Sequence, residues 1–156
     1  MIESSICPIS FIDQEEYDVE CTIPGKPFAK QRPKASRRGK FISVYTPKET
    51  VDYENLVKYS YYSQNGDNML QGPLAAEIVG TFPIPKSASK KQVQLMLDGE
   101  IKHTKKPDCD NMAKVVLDAL NGIAFEDDSQ VVELSIKKEY GLNPKTQIKL
   151  RRLIKE

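Results

Sequence analysis

Met112, Val115, Val116 and Ala119 recur at helical spacing, with charged and polar residues between them. They predict an amphipathic helix over residues 111–120, stopped by Asn121-Gly122. Soon afterwards the period changes. Val132, Leu134 and Ile136 alternate with Glu133, Ser135 and Lys137, the pattern of a strand. A helix with one apolar stripe and a strand with one apolar side find cover most simply on each other. Both patterns recur along the chain. Residues 17–23 alternate, with Val19, Cys21 and Ile23 on one face. Residues 74–82 are apolar and strand-like, ended by Pro83 and Pro85, and residues 146–153 place Ile148 and Leu150 on one face. Residues 41–45 read as a short strand. Thr46-Pro47-Lys48-Glu49 reads as a helix start, with Thr46 as N-cap, Pro47 at the first helical position and Glu49 closing a capping box. That helix is expected to reach Tyr62 and to bury Val51, Leu56 and Tyr59. Residues 89–97 read as a further helix, closed by Asp98-Gly99. Residues 30–39 read as a basic, mobile loop. The interleaving predicts an α+β fold of two layers, with helices packed on one face of a mixed β-sheet.

The length of 156 residues suits one domain. Residues 17–156 are expected to form it, and residues 1–16 an acidic extension, either disordered or packed on a partner subunit. No window approaches the ~20 apolar residues of a membrane helix. The first cation is Lys26, which does not fit a secretory signal. Cys7, Cys21 and Cys109 form no CxxC pair, which argues for the reducing cytoplasm.

Lys and Arg number 23 against 22 Asp and Glu, a net charge of +1, but the charges are segregated. Every formal side-chain charge in residues 1–25 is negative. Every one in residues 26–40 is positive: Lys26, Lys30, Arg32, Lys34, Arg37, Arg38 and Lys40. A second basic run, Lys102 with Lys105 and Lys106, precedes an acidic region from residue 108 to 128. Phe28, Phe41 and Tyr45 stand among the first cations. Such a set can clamp phosphates and stack on unpaired bases. Read more simply, each run is solvated surface and Phe28 is a core anchor.

Asp108 and Asp110 bracket one residue at the predicted helix start. Lys114 and Asp118 follow Asp110 at four-residue steps, so all three project from one face. Asp127 and Asp128 occupy the turn before the next strand. Converging carboxylates repel unless they surround a cation. Oxygen ligands suit Mg²⁺ or Mn²⁺, and such a site suits phosphodiester hydrolysis. Lys114 is placed to stabilise developing charge there. The alternatives are structural: an N-cap at Asp108 or Asp110, surface ion pairs to Lys114, and turn chemistry at Asp127 and Asp128. His103 with Cys109 makes a poor zinc pair.

Asp108-Cys109-Asp110-Asn111, then Lys114, Asp118-Ala119-Leu120 and Asp127-Asp128-Ser129-Gln130-Val131 together resemble the pattern of the RusA family of Holliday junction resolvases. Ile23-Pro24-Gly25-Lys26-Pro27 and Lys30-Gln31-Arg32-Pro33 are similar to the family's N-terminal segment, so the resemblance covers residues 17–140. Pro107 stands where some members carry an arginine before the first acid, and residues 121–126 form a shorter loop than in some members.

The resemblance implies a small homodimeric α+β endonuclease, of a kind often carried by prophages. It would bind four-way DNA and nick opposing strands symmetrically with Mg²⁺ or Mn²⁺, and need no organic cofactor. It makes Asp108, Asp110 and Asp128 catalytic, metal-binding acids, Lys114 the essential lysine, and Asp127 a neighbouring acid. Asn111 and Asp118 would be structural. The DNA contacts expected are Lys30, Arg32, Lys34, Arg37, Arg38, Lys105 and Lys106. A branched-DNA binding module without turnover, a less selective structure-dependent nuclease and a small-molecule phosphohydrolase are the alternatives.

Overall fold

The structure is a computed structural model and describes residues 16–154. In chain order the strands are β1 (Val19–Pro24), β2 (Lys34–Arg38), β3 (Phe41–Tyr45), β4 (Leu74–Pro83), β5 (Val131–Gly141) and β6 (Lys145–Arg152). The helices are α1 (Lys48–Asn65), α2 (Lys90–Leu97) and α3 (Cys109–Leu120), and residues 128–130 form one 3₁₀ turn. The main sheet has the order β1-β6-β4-β5. Strand β6 runs antiparallel to β1 and β4, and β5 runs parallel to β4. Among the described residues strands β2 and β3 pair only with each other. The fold is α+β with a mixed sheet, as the pattern predicts. The expected extension, apart from Glu16, lies outside the described residues. Among the described residues no helix is long and apolar enough to cross a membrane.

The apolar stripes meet in register. Ile78 stands opposite Ile148, which stands opposite Cys21; Ala76, Leu150 and Val19 form the next row. Over them lie Met112, Val115, Val116 and Ala119 of α3, all fully buried. Helix α1 adds Tyr53, Val57 and Tyr61. Gly80 lets α3 come close, since a Cβ there would stand 2.5 Å from Met112 Sδ and 3.2 Å from Pro27 Cγ.

Helix α1 departs from expectation in two ways. Pro47 is its N-cap, no side chain caps it, and the helix runs on to Asn65, where Gly66 at φ 66° ends it. Glu49 accepts instead from Gln31 Nε2 at 2.8 Å. The buried face is also rotated. Val51 is 40% and Tyr59 71% exposed, while Tyr53 and Tyr61 go inside. Tyrosine is tolerated there because each hydroxyl finds a partner: Thr146 Oγ1 at 3.1 Å for Tyr53, and the Asn68 carbonyl for Tyr61.

The basic stretch over residues 30–39 is also not a plain loop. Its second half is β2, joined to β3 through Gly39-Lys40 with Arg38 paired to Phe41. Gly39 has φ 61° at the first loop position, as a type II′ hairpin turn requires.

His103 belongs to no cluster of three metal-ligating side chains among the described residues. It stacks on Phe82, centroids 3.8 Å apart, with Tyr140 edge-on at 5.1 Å. Burial, and next the Lys138 ammonium, lower its pKa below the ordinary 6.5. The unfolded chain therefore binds this proton more readily than the folded one. The stability is present above the unfolded value and is lost as pH falls through the folded value. Below pH 6.5 the urea midpoint should fall more steeply in the wild type than in His103→Phe. A constant difference between the two across the range would assign the acid sensitivity to other groups.

Candidate active site and nucleic-acid interface

Helix α3 carries the acids because its inner stripe is fixed to the core. Asp110, Lys114 and Asp118 then share its outer side at steps of about 6 Å. Asp108 is the N-cap residue, yet its side chain makes no capping hydrogen bond. Its carboxylate is exposed and remains available. Lys114 is exposed too, and among the described residues it forms no ion pair with Asp110 or Asp118. The surface pairs to Lys114 that stood as the structural alternative do not form among the described residues.

Asp118 is taken by Lys30. The Lys30 ammonium donates to Asp118 and lies 3.8 Å from Glu54 of α1. Its backbone N–H donates to the Asn111 carbonyl at 3.3 Å. Lys30 therefore ties the N-terminal segment to both helices.

Asp127 and Asp128 stand on the 3₁₀ turn. Gln130 shapes that turn, since its Oε1 accepts from the N–H groups of Glu126 and Asp127, and its Nε2 donates to the Leu70 and Gly72 carbonyls. The Ser129 hydroxyl lowers the Asp127 pKa. Desolvation, then the charges of Asp127 and Asp118, hold Asp128 above the usual carboxylate value. Asp128 thus faces like charge, a surrounding that a cation would relieve.

The donors are oxygen atoms, which suit a hard divalent ion. Among the described residues, however, no three His, Cys, Asp or Glu side chains stand close enough to share one. Asp108 and Asp110 sit at the start of α3, while Asp127 and Asp128 lie by its far end, near Asp118. The acids thus form two groups along one helix.

Beside Asp108 and Asn111 opens a pocket of about 490 Å³, lined also by Lys26, Phe28, Lys106 and Pro107. Phe28 is half-buried against Tyr53, centroids 5.2 Å apart, so it is chiefly a packing residue. Lys105, Lys106 and Arg32 are exposed. The hairpin register separates the remaining cations. Lys34 and Arg38 share a face with Tyr45 and Phe41, their cross-strand partners. Arg37 lies on the other face with Ala35, Ile42 and Val44, and its Nε donates to the Gly39 carbonyl at 3.1 Å. The first face is cationic and aromatic, with Phe41 81% exposed.

A family model described as Endodeoxyribonuclease RusA matches residues 24–151. The chain belongs to the RusA family. It is also similar to "Uncharacterized protein YqaN" of Bacillus subtilis (strain 168), 32% identical over 135 residues that cover 85% of this chain and 95% of the relative.

The partners of two positioning residues in this RusA-family chain escape a reading of the sequence. Gln130 is visible as a motif letter, but its partners, the Leu70 and Gly72 carbonyls, are far away in sequence. Lys138 gives no signal at all, being one lysine in an alternating strand. Its Nζ donates to the Lys105 carbonyl at 2.8 Å and the Pro107 carbonyl at 3.0 Å. It therefore holds the loop that delivers Asp108. Lys138→Met should cost about 1–2 kcal/mol in urea unfolding, because charged hydrogen bonds are lost at a partly solvated position. It should also speed amide exchange at residues 106–111. Unchanged exchange there would leave the loop held by other contacts.

Proposed function

We propose that the chain is an endodeoxyribonuclease that resolves four-way DNA junctions as a pair of identical subunits nicking opposing strands. The observation that carries this reading is on α3. Asp108, Asp110 and Lys114 are exposed along it and engaged by no other described side chain, beside the basic segment that carries Lys26 and Lys30. Family membership over residues 24–151 supports the same chemistry.

In this reading Asp108, Asp110 and Asp128 are the residues that would hold Mg²⁺ or Mn²⁺, with Asp127 next to them. Bringing the two acid groups onto a shared ion requires that substrate or ion draw them together. When bound, the ion supplies a polarised water and positive charge beside the scissile phosphate. The exposed Lys114 ammonium would orient the attacking water or neutralise charge growing on the phosphate oxygens. Lys105, Lys106 and Arg32 hold neighbouring phosphates. Lys34 and Arg38 grip the backbone while Phe41 and Tyr45 meet unpaired bases at the crossover. Lys30 supports the site through Asp118 more than it contacts DNA. Arg37 contacts DNA only if the far face of the hairpin also does. Two-fold junction symmetry suits two such sites.

The test is cleavage of a labelled four-way junction in Mg²⁺, Mn²⁺ and EDTA, with linear duplex as competitor. Paired symmetric nicks that require metal are expected. Asp110→Asn should lower nicking at least about a hundredfold while junction binding persists. Tight binding without nicks in either metal would instead fit a branched-DNA binding module, the reading that the separation of the two acid groups favours. Loss of binding and nicking together in folded Asp110→Asn would contradict the role given to that acid. The paired change Lys34→Ala with Arg38→Ala should weaken binding and reduce the salt slope by about two. An unchanged slope would turn the hairpin away from DNA.

A further inference from the structure

Among the described residues strand β5 is a long edge left open. It has 11 residues and there pairs only with β4. Leu134 and Ile136 stand beside Ala76 and Ile78, on the sheet face that elsewhere carries the core. Yet Leu134 is 46% and Val132 62% exposed. An exposed apolar edge of this kind is a template for pairing with another chain.

We propose that this edge is where two copies of the chain join, β5 against β5, antiparallel and centred on Ser135. The inference deepens the two-subunit reading above and rests on it. Its basis is charge complementarity of the strand with itself. A two-fold axis normal to the sheet keeps each side chain on its own face, so the possible registers are few. Centred on Ser135, Glu133 of each copy faces Lys137 of the other, and Leu134 faces Ile136. Centred on Ile136, Glu133 would face Glu139 twice and Leu134 would face Lys138. Centred on Lys137, that lysine would face itself. Centred on Leu134, Glu133 would face Ser135 and no charge would be matched. The Ser135 register alone sets Glu133 against Lys137 and Leu134 against Ile136, and it places Lys138 opposite Val132 and Glu139 opposite Val131. Like charges directly opposite destabilise a strand pair, and opposite charges support it.

The neighbouring helix fits the same register. Met96 and Leu97 of α2 line one pocket with Ile136 and Tyr140, in the C-terminal half of β5. Leu97 is 42% exposed. Antiparallel pairing brings that half of one copy beside Val132 and Leu134 of the other, so α2 of each copy covers apolar residues of its mate. The axis is normal to the sheet, so the helices of both copies end on one side of a continuous sheet. Both sets of acids then face the same junction.

Sedimentation tests the seam with the full chain. Wild type should be a dimer. Glu133→Lys and Lys137→Glu should each raise the dimer dissociation constant about tenfold or more, since each places two like-charge pairs in the seam. The double variant should return toward wild type. Ser135→Cys should form a disulfide-linked dimer on mild oxidation, because directly opposed residues in such a pair sit about 4.5–5.5 Å apart, within disulfide reach. Wild type carries Cys7, Cys21 and Cys109 and serves as the control. A monomeric wild type would overturn both the seam and the two-subunit reading. A dimer indifferent to the charge changes and not linked through Ser135→Cys would overturn the seam alone.

Discussion

The buried stripe of α3 presses Met112, Val115, Val116 and Ala119 into the sheet without residual exposure, and Gly80 removes the one Cβ that would keep Met112 away. That contact fixes the rotation of the helix, and the rotation fixes every acid on it. Asp110, Lys114 and Asp118 point outward because their neighbours at helical spacing point inward. Around this placement the chain adds polar ties at both ends. Lys138 holds the approach to Asp108, and Lys30 holds Asp118 against α1. Gln130 then fixes the turn that brings Asp127 and Asp128 to the far end.

These ties explain which lysine remains available to a substrate. Lys30 and Lys114 can both be drawn toward the acids of α3. Lys30 takes Asp118 because its backbone is anchored at Asn111 and its side chain then lies along the helix. With Asp118 satisfied, Lys114 has no short-range partner on its own face among the described residues. A helical Asp-Lys-Asp series at four-residue steps would ordinarily hold the central lysine in weak pairs, each worth about 0.2–0.5 kcal/mol. Here one outer acid is claimed from another segment, and the central ammonium is exposed.

The sequence made the sheet and α3 legible because their signals are local. Val19, Cys21 and Ile23, or Ile148 and Leu150, alternate whatever their partners are. The face of α1 was not legible, since its inner positions are threonine, tyrosine and serine as well as valine. Only Thr146, distant in sequence, makes Tyr53 a comfortable buried residue. Strand β2 was hidden for another reason. Lys34, Ser36, Arg37 and Arg38 carry no apolar alternation, and the strand exists through pairing with β3 and a turn at Gly39. The acids themselves were legible as a set. Their division into two groups was not, because it depends on where the 3₁₀ turn packs.

The hairpin shows what register adds to composition. Lys34, Arg37 and Arg38 look equivalent as a basic run, yet pairing with β3 sends Arg37 to an aliphatic face and the other two to an aromatic one. A face that combines cations with exposed Phe41 and Tyr45 offers both positive charge and flat aromatic surface. The face that combines Arg37 with Ala35, Ile42 and Val44 offers no such match, since aliphatic side chains neither stack on bases nor neutralise phosphate. Strand pairing thus divides one stretch of positive charge into two surfaces of different chemistry. Only the first of them continues the electrostatic logic of the acids on α3.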